Sequence, residues 1–178
     1  MIDDFNNIIV YHGSYTEVRN PDLDKCKAGK DFGKGFYITT DKSQAIKFSR
    51  LIAARYNTSY GIVNEYLLSD INDLTYYNFE NTDIDWLNCV VGNRRKQFKH
   101  LCEKWNNYDI LSGKVANDDT STVINAYLLG LYGEIGSDNA ARIAISNLEP
   151  ENFKNQLCFK TEKAIKKLKF INSEKVTL

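Results

Sequence analysis

The chain has 178 residues, with 23 Lys and Arg balancing 23 Asp and Glu, so its formal net charge is zero. Hydrophobic residues make up 43% and charged residues 26%, the balance of a soluble domain with a sizeable core, expected to span 1–178 as one unit. The neutral charge disfavours a dedicated nucleic-acid binder, two prolines leave no Pro-rich linker, and no apolar run reaches the length of a membrane span.

The acidic start, Met1-Ile2-Asp3-Asp4, is unlike a secretory signal and leads to Ile8-Ile9-Val10-Tyr11, a strand signature ending in His12, Gly13 and Ser14. Asp31-Phe32-Gly33-Lys34-Gly35 reads as a tight glycine turn that opens a strand at Phe36-Tyr37-Ile38-Thr39-Thr40. Asp41 is a good N-cap, with Gln44 three residues on as in a capping box. Ala45, Ile46, Ser49, Ile52, Ala53 and Tyr56 then fall on one helical stripe. A strand over 62–68 and an extended segment over 74–79 follow. The spacing of Leu87, Val90, Val91, Phe98, Leu101 and Trp105 predicts a long helix over 83–105. A strand within 108–115 leads to the polar turn Asn117-Asp118-Asp119, then to helices over 123–132 and 138–148. A strand over 155–161 and a short helix over 162–168 complete the pattern. There is no regular βαβα alternation and no GxGxxG opening a helix, so a doubly wound nucleotide fold is disfavoured and a mixed α+β fold is expected.

Cys26, Cys89, Cys102 and Cys158 form no CxxC pair, and His12 and His100 are far apart, so no metal-site spacing occurs. Reduced thiols in a cytoplasmic protein are expected.

Two strands would deliver an imidazole, a phenol and flexible glycine backbone, the parts of a site for a planar, amide-bearing, ribose-bearing ligand. Tyr11-His12-Gly13-Ser14 and Gly33-Lys34-Gly35-Phe36-Tyr37-Ile38 resemble the first two signature segments of the His-Tyr-Glu class of ADP-ribosyltransferases. That class includes the poly(ADP-ribose) polymerases and diphtheria-type toxins. The chain also resembles a bacterial family, domain of unknown function 3990, over nearly its whole length. The segments that carry this second resemblance are Asp85-Trp86-Leu87 with Asn93-Arg94, Tyr108-Asp109-Ile110 with Gly113, Val115-Ala116-Asn117-Asp118, and Asn155-Gln156 with Phe159 and Thr161.

The transferase resemblance implies an α+β domain with a split, bent β core surrounded by helices, and NAD as substrate. By position, His12 would bond the adenosine ribose, Gly13 would hold the nicotinamide carboxamide through its backbone, and Tyr37 would stack on the nicotinamide ring. Phe48 matches the aromatic that closes the other face of the ring. Ser14, Ser43 and the Gly35 turn join the binding set. The third signature residue, a glutamate in the class, is Gln156 here. Cleavage of the nicotinamide–ribose bond builds positive charge on the sugar, which a carboxylate stabilises. Losing one such contact raises a barrier by about 3 kcal/mol. Glutamine therefore implies transfer of single units, help from another carboxylate such as Asp118 or Asp119, or binding without turnover. The resemblance implies mono-ADP-ribosyl transfer from NAD to an unknown macromolecular acceptor, protein or nucleic acid, with no metal and no membrane. The alternatives are a non-catalytic NAD or ADP-ribose-binding module, or a toxin-like effector regulated by a small partner protein.

Each of these residues also has a purely structural reading. His12 would be a satisfied histidine at a strand end, Tyr37 and Phe48 core aromatics, and Gly33 and Gly35 turn formers. Asn117-Asp118-Asp119 is most simply a turn with a helix cap, and Trp86 and Arg94 would pack and pair. The Lys163, Lys166, Lys167, Lys169 cluster reads as a solvated face, with an approach to nucleic acid as the alternative.

Overall fold

The structure, a computed structural model, describes residues 7–116, 118–148 and 155–178. The Met1–Asp4 segment and Asn117 lie outside the described residues, as do the side chains of Asp118 and Asp119. β1 (Ile8–Ser14) is followed by a 3₁₀ turn at Leu23–Lys25, the glycine turn and the short β2 (Phe36–Ile38). α1 (Lys42–Arg55) starts at the expected cap, where the Asp41 carboxylate accepts from the Ser43 and Gln44 amides at 2.8 and 3.2 Å. The other arm of the box is different. Gln44 Oε1 accepts from the Thr39 hydroxyl at 2.9 Å, which ties the helix start to the end of β2.

β3 (Tyr60–Leu68) and β4 (Tyr76–Asn78) lead to α2 (Ile84–Arg94). The single long helix expected over 83–105 is therefore two pieces. Arg95 is extended at φ −130° and ψ 112°, and Lys96–Trp105 continues as a 3₁₀ segment with a kink at Phe98. The reversal lets both apolar stripes reach one core: Leu87, Val90 and Val91 from α2, Cys102 and Trp105 from the return. Gly92 permits the close approach, since a Cβ there would lie 2.8 Å from the Cys102 Cβ.

β5 (Ile110–Lys114) is followed by α3 (Asp118–Leu128), so the polar turn expected at 117–119 is already helical at Asp118. α4 (Asp138–Ser146), β6 (Asn155–Phe159) and a one-turn α5 (Glu162–Ile165) come next. The chain then runs back as β7 (Leu168–Thr177), a strand the sequence pattern does not announce. Its exposed residues include Lys169, Glu174 and Lys175, an edge strand with too little apolar alternation to be read as one.

The strands form two sheets, β1-β3-β7 and β2-β6-β5-β4, antiparallel throughout except for the β4–β5 pair. The protein is a mixed α+β structure. Val10, Tyr66 and Leu68 from the first sheet face Phe36, Ile38, Ile110, Leu157 and Phe159 from the second. Leu111, Cys158 and Tyr37 leave the second sheet on its other side, toward α2, α3 and α4. α1 covers the outer side of the first sheet, where Ala45 packs with Val63 and Val176. Its buried seam is Ala45, Ser49 and Ala53, all small, so the helix lies close upon two strand glycines. A Cβ on Gly13 would fall 2.3 Å from the Ala45 carbonyl oxygen, and one on Gly61 would fall 2.7 Å from the Ser49 carbonyl carbon.

This seam generates a stability prediction. Gly61→Ala forces backbone against backbone and should lower unfolding free energy by about 1–3 kcal/mol. Urea unfolding of the two proteins checks it; an unchanged midpoint would mean that α1 is free to lift from the sheet.

Candidate functional site

The two sheets are stitched at one point. Tyr11 and Thr39 exchange backbone hydrogen bonds at 2.8 and 2.9 Å, and beyond this bridge β1 and β2 diverge. His12 and Gly13 sit at the divergence. Pleating sends the His12 ring into the layer between the sheets, where it lies against Phe36 with ring centroids 4.3 Å apart. Tyr37 leaves β2 on the opposite side, the side of the Gly13 backbone. His12 and Tyr37 are joined through the main chain: His12 Nδ1 donates to the Tyr37 carbonyl at 2.7 Å. A carbonyl only accepts, so Nδ1 carries the proton and Nε2 is left as the acceptor. Behind the strand, the fully buried Asn64 donates to the His12 and Thr16 carbonyls at 3.4 and 3.3 Å and accepts from the Val18 amide at 2.8 Å. It holds the exit of β1, and nothing in its sequence context marks it.

The glycine turn is built around Tyr37. The phenol donates to the Gly33 carbonyl at 2.8 Å and accepts from the Phe32 amide at 3.0 Å. Gly33 has φ +89°, and a Cβ there would also meet Asn93 Oδ1 at 2.6 Å. Burial pushes the Tyr37 phenol well above its ordinary pKa, with Cys158 and Asp31 adding to the shift. At Gly35 a Cβ would lie 2.5 Å from Cys158 Sγ, so close β2–β6 packing is one reason for that glycine.

Phe48 on α1 is 39% exposed. The Lys30 ammonium lies over both rings, 5.8 Å from the Tyr37 ring centre and 5.6 Å from that of Phe48. One cation thus serves two aromatic faces. The same positive charge helps to lower the His12 pKa, though burial contributes most. Lys30 is a residue that sequence reasoning missed; a lone exposed lysine in a turn gives no signal.

Asp31, next in sequence, is buried at 7% exposure and accepts four hydrogen bonds. Oδ1 takes Arg94 Nε and Nη2 at 2.9 and 2.6 Å. Oδ2 takes the Ala116 amide at 3.0 Å and Gln156 Nε2 at 2.9 Å. Arg94 thus pairs as its structural reading expected, and Trp86 is buried with its indole nitrogen donating to the Lys114 carbonyl at 3.0 Å. Gln156 lies on the Tyr37 face of the second sheet, two residues from Cys158, the register partner of Tyr37.

The remaining sequence-predicted residues are scattered around this centre. Ser14 is buried, and its hydroxyl accepts from the Thr16 amide at 3.4 Å. The Ser43 hydroxyl donates to its own helix cap, Asp41, at 2.6 Å. The α3 backbone begins at Asp118, but the side chains of Asp118 and Asp119 lie outside the described residues. All four cysteines are free, and burial pushes the Cys158 thiol up to about 12, which removes it as a nucleophile at neutral pH. Among the described residues no His, Cys, Asp and Glu cluster could hold a metal ion, and no helix is long and apolar enough to cross a membrane. An open groove of about 460 Å³ lies elsewhere, between Thr82–Asp85 and Arg142–Ser146, and contains none of these residues.

His12 supplies a pH prediction. Burial, assisted by Lys30 and opposed by the bond to Tyr37, lowers its pKa from 6.5 to about 4. The unfolded chain therefore binds this proton more tightly, so the stabilising contribution is complete above pH 6.5 and is lost as pH falls toward 4. The loss should be on the order of 2–3 kcal/mol and should vanish in His12→Asn. Proton NMR of the imidazole checks the assignment: a titration midpoint near 6.5 would contradict a buried neutral ring.

No curated protein and no solved structure matches the chain. A family model described as "Protein of unknown function (DUF3990)" matches residues 8–170, the span from β1 into the start of β7 that includes Lys30, Tyr37, Phe48 and the Asp31 cluster, and the chain belongs to that family.

Proposed function

We propose that the protein is a mono-ADP-ribosyltransferase that cleaves NAD, releases nicotinamide and passes ADP-ribose to a macromolecular acceptor, protein or nucleic acid. The observation that carries this reading is the Lys30 ammonium over both the Tyr37 and Phe48 rings, which we read as two sides of a slot for a flat cation. The nicotinamide ring of NAD is a flat pyridinium cation, and stacked aromatic faces favour it through both dispersion and charge. Its carboxamide would bond the Gly13 main chain. His12, whose ring lies on the other side of the strand, would act by holding the Tyr37 main chain through Nδ1. As the glycosidic bond breaks, its electron pair goes to the pyridinium, which leaves neutral, and positive charge develops on the ribose. The Gln156 carbonyl dipole would face that charge. The acceptor then attacks the anomeric carbon and loses a proton. No metal takes part.

One observation favours a second reading, a non-catalytic NAD or ADP-ribose-binding module. Gln156 replaces the expected carboxylate, and the acid beside it, Asp31, is already engaged by Arg94 and the Ala116 amide. An effector regulated by a small partner protein would share the chemistry of the first reading.

Incubation with NAD labelled in its adenylate half, together with cell lysate, separates these readings. Label in a protease- or nuclease-sensitive macromolecule supports the transferase. Saturable binding without products supports the module. Neither binding nor cleavage overturns both.

Two variants probe the slot. Tyr37→Ala removes a stacking surface worth about 1 kcal/mol, so NAD affinity by calorimetry should fall about fivefold. Tyr37→Phe keeps the ring but gives up the two bonds that hold the glycine turn, so its loss of affinity should be smaller than that of Tyr37→Ala. Lys30→Ala removes both the ammonium and its stem from the two rings, and NAD should bind about two- to fivefold tighter. Weaker binding in that variant would mean that Lys30 grips the ligand instead of competing with it.

A further inference from the structure

We infer that Asp31 is a positioning residue that sets which atom of the Gln156 amide a ligand meets. As far as the ligand is concerned, this rests on the function proposed above; the geometry does not. A carboxylate only accepts, so the Gln156 atom 2.9 Å from Asp31 Oδ2 must be the amide nitrogen. The carbonyl oxygen, Oε1, is then the atom turned to a ligand. Rotating the amide would place oxygen against oxygen and leave a buried acceptor unmet.

Asp31 itself is held from several directions. Arg94 grips Oδ1 through two nitrogens and also donates to the Ala116 carbonyl at 3.0 Å, while the Ala116 amide donates to Oδ2. The carboxylate thus joins the glycine turn, the end of α2, the segment before α3 and β6. At 7% exposure water has little access to compete for these bonds. Gln156 therefore meets a developing positive charge with a fixed carbonyl dipole, on the same sheet face as the Tyr37 ring.

The arrangement reverses a simple expectation. Gln156→Glu would not merely restore a missing charge. It would set a second carboxylate beside Asp31, and the pair would retain a proton. Charge is restored without that repulsion only when Asp31→Asn accompanies Gln156→Glu, because the introduced amide donates to the new carboxylate, at the cost of the bond that Oδ2 accepts from the Ala116 amide.

Four proteins decide the matter: wild type, Asp31→Asn, Gln156→Glu and the double variant. Ligand-free thermal melts are recorded between about pH 4 and 8, across and above the ordinary glutamate pKa. In Gln156→Glu the introduced acid has its folded pKa raised, so stability is fullest at the acid end and declines as pH rises. The double variant should lack that decline and be more stable near neutral pH than the sum of the single effects allows. Additive melts, with no pH-dependent loss specific to Gln156→Glu, would overturn the inference. If Asp31→Asn fails to fold, the pH dependence of Gln156→Glu against wild type decides alone. With NAD as the probe, Asp31→Asn should turn the amide over and lower kcat about tenfold with little change in KM, and the double variant should recover it. Recovery supports positioning; equal loss in both overturns it. A wild-type protein that neither binds nor cleaves NAD would defeat the proposed function, while the melts would still judge the Asp31–Gln156 pairing.

Discussion

A single buried carboxylate organises the part of this protein where chemistry is concentrated. Asp31 leaves water almost completely, a transfer that costs several kcal/mol unless matched by donors. Two Arg94 nitrogens, a backbone amide and the Gln156 side chain supply the match. Because all four must be present together, the glycine turn has little freedom to drift. Lys30 and Phe32 flank the anchored residue, so one is carried toward the aromatic slot and the other into the core against Phe79. The Tyr37 phenol, bonded to Phe32 and Gly33, locks the far side of the same turn.

Close packing supplies the rest of the slot. α1 can settle on β1 and β3 because its seam is small and because Gly13 and Gly61 have no side chains to obstruct it. That approach brings Phe48 within reach of the Lys30 ammonium, which also lies over Tyr37. The bridge between Tyr11 and Thr39 ties the first sheet to the second just where the strands part. Gly13 sits at that divergence and also provides the close fit beneath the helix. A side chain there would disturb both.

Burial also sets the chemical character of the groups. His12 is kept neutral and Cys158 protonated at physiological pH, while the Tyr37 phenol is far from ionising. The Tyr37 hydroxyl is a tether within the turn and its ring face is the surface it offers.

Much of this was legible in the residues alone. The β1 and β2 strands, the Asp41 cap and the stripe of α1 follow from local spacing, and local preferences decide such features because each involves neighbours a few positions apart. The break at Arg95 could not be read, since a helix and its reversal place the same apolar residues on the same core and leave one periodic pattern. β7 was hidden because an edge strand exposed to water needs no apolar alternation. The Asp31 cluster was equally hidden: its members are 63 and 125 positions apart, and each is an ordinary polar residue in its own setting. The sequence by itself determined the elements and the chemical parts list. Only the tertiary structure decided that Asp31 would gather Arg94, Ala116 and Gln156 and that Lys30 would lie over two rings, because burial and hydrogen bonding across layers act on proximity in space, which local sequence does not encode.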